Sequence, residues 1–165
     1  VVVPYTTARD MAEDAPKDLW DICFLGHDPG RAHLLAWSRP YLEIAAVYAG
    51  RAPLSPIDPA QVDQPGTTIL SARGAAYDLH LARRVRHATL IRADSFTEAV
   101  ARFREGEGDL VAGVRESLAR AFGGDPAFAL MQTPFATVGQ AIAVPLAQAG
   151  LVAALDLWLQ DQPAQ

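Results

Sequence analysis

LWDICFLGHDPGRAHLLAWSRPYLEIAAVYAG, residues Leu19 to Gly50, is the stretch from which the fold is read. Ile22, Cys23, Phe24 and Leu25 form a run with the composition of a buried strand, and the predicted strand covers Leu19 to Leu25. Gly26-His27-Asp28-Pro29-Gly30 then forces a turn, because proline fixes its own φ and the glycines accept backbone angles closed to other residues. Arg31 follows at once, and after a short helix or turn over Gly30 to Leu35 the segment Tyr41 to Ala49 is apolar and extended. An arginine held beside a tight turn is suited to a carboxylate: its guanidinium is permanently charged and presents a rigid fork of donors, and free N–H groups of the turn can share the anion. A surface ion pair with Asp28 or Glu43 is the competing assignment for Arg31, and it would contribute only about 0–1 kcal/mol.

Outward from this stretch, Val1 to Tyr5 is β-branched and aromatic and predicts a short strand, followed by a helix over Ala8 to Ala15 with Thr7 as its cap. Arg51 to Gly66 is proline-rich and reads as a connector. From Thr67 the pattern alternates. Strands are predicted at Thr68 to Ser71, Thr89 to Arg92 and Leu110 to Ala112, and helices at Ala75 to Arg84, Ser95 to Glu105 and Arg115 to Phe122. Such alternation implies βαβ crossovers and a largely parallel sheet. Ser95 and Glu98 form a capping box, and Phe96, Ala99, Val100 and Phe103 supply the apolar stripe of the helix it opens. Phe128 to Thr133 and Gly139 to Val144 are extended, and a closing helix over Ala147 to Gln160 turns Leu151, Leu155, Trp158 and Leu159 toward a core.

With 165 residues, half of them hydrophobic, the chain can bury one core or two modest ones. A net charge of −5 excludes an extended nucleic-acid surface, which needs a basic field to displace phosphate counterions, and Arg83, Arg84 and Arg86 read as a solvated helix end. The single cysteine, Cys23, excludes an internal disulfide and reads as a core thiol. No stretch is long and apolar enough for a membrane span, and no charged-then-apolar signal segment opens the sequence. There is no Gly-x-Ser-x-Gly elbow, P-loop, dinucleotide fingerprint or HExxH, no metal-ligand spacing among the histidines, and no cofactor motif. No catalytic residue is assigned, and the chain is read as a non-enzyme.

Two blocks carry a resemblance. Leu19 to Tyr41, with its order of strand, turn, arginine, helix and Trp-Ser-Arg-Pro-Tyr, resembles the first lobe of the bacterial extracellular solute-binding proteins of family 3, the periplasmic components of polar amino acid ABC transporters. QPGTTILSARGAAYDLHLARRVRHATLIRADSFTEAVARFREGEGDLVAGV, Gln64 to Val114, resembles their second lobe. The resemblance implies an α/β, type II periplasmic-binding-protein-like fold with two lobes on a two-strand hinge. Lobe 1 would comprise 1–45 and 138–165 and lobe 2 would comprise 46–137, with ligand held between lobes, outside strand ends. It also implies a periplasmic location, a small carboxylate-bearing solute and an ABC permease as partner. The same clamshell serves as the ligand-sensing domain of membrane receptor kinases, which is the alternative; a non-binding scaffold that oligomerises by strand exchange is the third.

Carried over residue by residue, Arg31 matches the arginine that grips the α-carboxylate, Gly26 stands where relatives carry a hydroxyl residue, and His27 lies next to that turn. Gly74-Ala75-Ala76-Tyr77 matches the second-lobe turn, where relatives carry hydroxyl residues and a helix N-terminus offers N–H groups to an anion. Tyr77 could wall a pocket. Val114 stands where amino acid binders place a carboxylate for the ligand's ammonium group, so the sequence favours a second anionic or neutral polar group on the ligand, with Arg115 as its partner. Asp21 and Asp109 are assigned to backbone capping. The strand and helix that ordinarily open lobe 1 have no counterpart ahead of Val1, so lobe 1 is expected to be incomplete and to expose sheet edges that favour pairing with another copy.

Overall fold

The computed structural model describes residues 1–54 and 58–162; 55–57, within the predicted connector, and 163–165 lie outside the described residues. The chain divides into two compact units, one made of Val1–Glu43 with Val138–Gln165 and the other of Ile44–Thr137. Two ten-residue strands, β3 (Leu42–Arg51) and β8 (Ala136–Pro145), carry the chain from one unit to the other. Among the described residues no helix is long and apolar enough to cross a membrane.

In the discontinuous unit, helix α1 (Ala8–Glu13) starts at Thr7, whose hydroxyl accepts the Asp10 N–H, as its position predicts. Strands β1 (Cys23–Gly26) and β2 (Leu35–Trp37) each pair antiparallel with β8. Alternate residues of a strand face opposite sides, so Cys23 and Leu25 enter a core with Ala12, Ala15, Trp20, Leu35 and Ala143, while Ile22 and Phe24 are exposed. The continuous run Ile22–Leu25 is thus half-buried rather than buried. Burial raises the Cys23 thiol to about 12, which makes it an inert core group.

The predicted strand over Val1 to Tyr5 does not form, because no strand pairs with it and Val1–Val3 are exposed. The closing helix is shorter than expected: a 3-10 stretch, Leu146–Leu151, precedes α5 (Val152–Gln160). Of the four residues assigned to its core face, Leu159 is buried, Leu155 is half-buried, and Leu151 and Trp158 are exposed.

The continuous unit contains β4 (Thr68–Ala72), α2 (Ala76–Arg84), β5 (Thr89–Ala93), α3 (Phe96–Arg104), β6 (Leu110–Val114), α4 (Arg115–Phe122) and β7 (Phe128–Leu130). Its strand order is β7-β3-β6-β4-β5. Strands β5, β4 and β6 are mutually parallel, as the alternation implies, but β3 runs antiparallel to both its neighbours, β6 and β7, so the sheet is mixed. The β4-α2-β5 connection steps one way along the sheet and the β5-α3-β6 connection steps back across β4.

Helices α3 and α4 bury Ala99, Phe103, Leu118 and Phe122 against Val47, Leu70 and Val111. Phe103 meets Phe122 edge-on at 5.8 Å and carries the Arg51 guanidinium 4.5 Å over its ring. Ser95 caps α3 by accepting the Glu98 N–H, and the Glu98 carboxylate accepts the Asp94 N–H, one residue earlier than a capping box requires. Asp109 fastens the starts of β4 and β6 together, accepting both the N–H and the hydroxyl of Thr68 at 2.7 Å. Asp63 closes the turn between α2 and β5, accepting the N–H groups of Arg86, His87 and Ala88.

Phe103→Ala removes the largest fully buried side chain and should cost about 3–5 kcal/mol, read as a lower urea midpoint. The second expectation concerns acid. Hydrogen bonds from the Ala88, His87 and Arg86 N–H groups hold Asp63 below the ordinary carboxylate range. A depressed folded pKa gives stability that is complete above the unfolded value, near 4, and is lost as pH falls through the folded value. Asp63→Asn should therefore lower the melting temperature at neutral pH and flatten its decline between about pH 4 and pH 2, the range set by the unfolded carboxylate value.

Candidate functional site

Because the chain reverses direction across β4, the carboxyl ends of β4 and β6 flank a topological switch point within the continuous unit. Open α/β sheets bind ligands at such points, since the connections leave the adjacent strand ends in opposite directions and open a crevice. Helix α2 lies on the sheet face of Tyr48, whereas α3 and α4 lie on the face of Val47 and Ala49. The N-termini of α2 and α4 thus stand at neighbouring strand ends on opposite faces, and the sequence-nominated Gly74–Tyr77 and Arg115 occupy these two positions.

At the α2 end, Gly74 has φ +72°, a left-handed angle that favours glycine. Ala75 is the N-cap and offers no side chain to the helix end. The cap is supplied instead by Asp78, three residues on: its carboxylate accepts the Gly74 N–H at 2.9 Å and the Arg92 Nε–H at 3.0 Å. Asp78 is 1% exposed, and Arg92 reaches it from β5. A carboxylate of the protein itself therefore holds one of the N–H groups nominated for a ligand. The first-turn N–H groups of Ala76 and Tyr77 have no intrahelical acceptor, by the geometry of any helix start. The Tyr77 side chain is buried, with burial pushing its phenol up, so it packs the helix and does not wall an open pocket.

Asp78 was not identified from the sequence. The available signal was an acidic residue in the first turn, where it faces the positive end of the helix dipole. Ser71, on β4, was also missed: it is fully buried and its hydroxyl has no hydrogen-bond partner.

At the α4 end, the Arg115 guanidinium donates to the carbonyls of Gln132 at 2.6 Å and Met131 at 3.5 Å. It ties the segment after β7 to the start of α4. Gly113, next to it, is packed so closely that a Cβ would lie 2.9 Å from Phe96 and 3.1 Å from Leu118.

In the other unit, Gly26, His27 and Arg31 do come together. Pro29–Arg31 form a single 3-10 turn, capped by Asp28 accepting the Gly30 N–H at 2.8 Å. Arg31 is 4% exposed and donates to the Gly26 carbonyl at 2.9 Å, so it lies buried, near the equally buried Asp28, and not on the surface. Desolvation lowers its pKa, opposed by the charge of the buried Asp28. His27 is exposed and sets its ring edge-on against Trp37 at 5.0 Å.

A concavity of about 560 Å³ opens on the Tyr48 face between α2 and the segment around Phe135, whose ring stacks on Tyr48 at 4.4 Å. Its acidic groups serve the backbone: Asp58 accepts the Ala60 N–H, and Asp63 holds the α2–β5 turn.

The Asp78 assignment gives a direct expectation. Asp78→Ala uncaps the Gly74 turn and strips Arg92 of its partner. Breaking a buried pair costs about 3–5 kcal/mol, and the partial exposure of Arg92 reduces this to about 2–3 kcal/mol. Gly74→Ala should cost about 1–2 kcal/mol through its φ alone. Chemical denaturation of both variants checks these values.

No family model matches the chain, and no curated protein matches it in sequence. Solved structures do. The periplasmic VFT2 domain of BvgS from Bordetella pertussis is 22% identical with a TM-score of 0.77, covering 96% of this chain and 68% of that one; the chain spans 31% of the whole BvgS periplasmic domain. The arginine-bound form of a truncated ArgBP from T. maritima is 18% identical with a TM-score of 0.78, covering 94% and 74%. A binding component of an ABC transporter from Wolinella succinogenes, complexed with lysine, is 16% identical with a TM-score of 0.79, covering 96% and 70%. Across these structures the chain takes up the α/β, type II periplasmic-binding-protein-like fold, the fold of Venus flytrap domains.

Proposed function

We propose that the chain is a solute-binding domain, not an enzyme, that captures a small carboxylate-bearing solute in the periplasm and presents it to an ABC permease. The observation that carries this reading is the switch point at β4 and β6. There a helix start presents the Ala76 and Tyr77 N–H groups to an anion, in a fold whose neighbours include an arginine-bound and a lysine-bound protein. The alanines at 75 and 76 remove hydroxyl donors but leave the N–H groups, so recognition rests on the backbone. Gly26, His27 and Arg31 are assigned to the same function. The Arg31 bond to the Gly26 carbonyl uses one Nη1–H and ties the guanidinium to the turn beside which the carboxylate is placed.

A sensory domain of a membrane receptor is the second reading. It is favoured by the 22–23% identity to BvgS periplasmic structures, against 16–18% for the arginine and lysine binders named above. Both readings require solute binding; they differ in whether the bound form stimulates a permease or an output domain.

The test is thermal unfolding against a panel of amino acids, dicarboxylates and other small carboxylates. A ligand specific for the folded state should raise stability by about 2.7 kcal/mol at one hundred times its Kd. The discriminating variant is Ala76→Pro. Ala76 is the first helical residue and Ala75 is already extended (φ −66°, ψ 154°), so proline fits while deleting one N–H. Its melting temperature without solute should match the parent, and its affinity should fall at least tenfold, the share of one hydrogen bond to a charged group. An unchanged affinity places the carboxylate elsewhere, and no shift with any carboxylate overturns the solute-binding reading.

A further inference from the structure

We propose that the concavity of about 560 Å³ beside α2 is a second binding site, and that it takes a small protonated organic amine with an apolar body. Its described walls all belong to the continuous unit. It follows the flank of α2 past His80 and Leu81 to Arg84 in the last turn, the end of the helix opposite the Ala76 and Tyr77 N–H groups. Binding here is therefore independent of any carboxylate held at the switch point.

Tyr48 forms the floor. Its neighbours Val47 and Ala49 face α3 and α4, so the Tyr48 side chain stands on the other face of the sheet, where α2 lies. Tyr48 is 3% exposed and lines the concavity, yet its hydroxyl has no hydrogen-bond partner among the described residues. Buried hydroxyls are ordinarily bonded, and one left open on a cavity wall is available to an occupant. Burial, and then the charge of Asp63, push the phenol up, so the group stays protonated and can both donate and accept. Phe135 stacks on the Tyr48 ring, and His80 is tilted against Phe135 at 6.2 Å. Leu81, Val85 and Pro59 add apolar wall, which suits the body of the amine.

Charge decides between a cation and an anion. Two carboxylates, Asp58 and Asp63, line the concavity against one guanidinium, Arg84. Asp58 and Arg84 are both exposed and therefore screened, so the half-buried Asp63 sets the sign. Its backbone hydrogen bonds hold it below the ordinary carboxylate range, and it is ionised at neutral pH. Asp58 spends only Oδ1 on the Ala60 N–H, and its Oδ2 has no partner among the described residues. An ammonium group is matched by each of these features: a carboxylate oxygen, a phenolic oxygen and the faces of aromatic rings. A carboxylate in the same place meets two like charges.

Isothermal titration calorimetry of the chain with benzylamine at neutral pH, beside benzyl alcohol and benzoate, tests the assignment, because the three share a ring and differ in charge. Benzylamine should bind saturably with a Kd of about 1 mM, the scale expected of so small a ligand, and more tightly than the other two. Asp58→Asn keeps an oxygen for the Ala60 N–H while removing the charge, and should weaken benzylamine about two- to fivefold; Arg84→Gln should tighten it by a similar factor. Phe135→Leu should weaken it about three- to tenfold. Should that variant lose its circular dichroism, the two exposed charge variants decide. No saturable binding of benzylamine overturns the proposal, as does binding indifferent to both charge variants or benzoate binding that Arg84→Gln abolishes. Ala76→Pro should leave the benzylamine affinity unchanged, so failure here and failure of carboxylate binding are read separately.

Discussion

The carboxylate of Asp78 is the constraint on which the architecture of the candidate site depends. It is buried, so its charge must be met, and it is met by the Gly74 N–H from the turn and by Arg92 from the neighbouring strand. One side chain thereby fixes the left-handed turn after β4, the start of α2, and the approach of β5. These are the elements that set the edge of the crevice at the switch point. The arrangement also makes the helix start electrically different from a bare one: part of the positive end of the dipole is already answered by the protein.

How much of this was readable from the sequence depended on whether local chemistry or packing decided the outcome. Thr7 and Ser95 cap their helices as expected because capping involves only neighbouring residues. Strands β4, β5 and β6 and helices α2 to α4 fall within a residue or two of their expected positions, since alternation of strand and helix leaves few ways to form a sheet. The antiparallel course of β3 was not legible, because direction within a sheet depends on partners distant in sequence. Asp78 was missed for a related reason. An acidic residue in a helix's first turn is ordinary, and its importance appears only when Arg92, fourteen positions away, arrives to complete it.

The misread apolar residues share one cause. Ile22 and Phe24, and Leu151 and Trp158, were assigned to cores because they are hydrophobic within hydrophobic runs, yet all four are exposed. In the continuous unit the same kind of run is covered on both faces: Leu70 meets α3 and α4, and Ile69 is buried on the other side. In the discontinuous unit α1 and its neighbours cover the Cys23–Leu25 face, and Phe24, on the other face, is exposed among the described residues. A run of apolar residues thus records the demand for burial, and whether the demand is met depends on how many layers the fold provides.

Three arginines at or beside the nominated sites sharpen what a carboxylate could find here. Arg31 donates to the Gly26 carbonyl, Arg92 to the Asp78 carboxylate, and Arg115 to the carbonyls of Met131 and Gln132. A guanidinium carries five N–H donors, so one already engaged with the protein meets an outside anion with the donors that remain, and any partner it exchanges subtracts a hydrogen bond to a charged group from the affinity gained. The Ala76 and Tyr77 N–H groups at the start of α2 carry no such debt, because helix geometry leaves them without an intrahelical acceptor. The recognition proposed through them would tolerate alanine at positions 75 and 76 and would depend on the N–H itself and on the Gly74 turn that aims it.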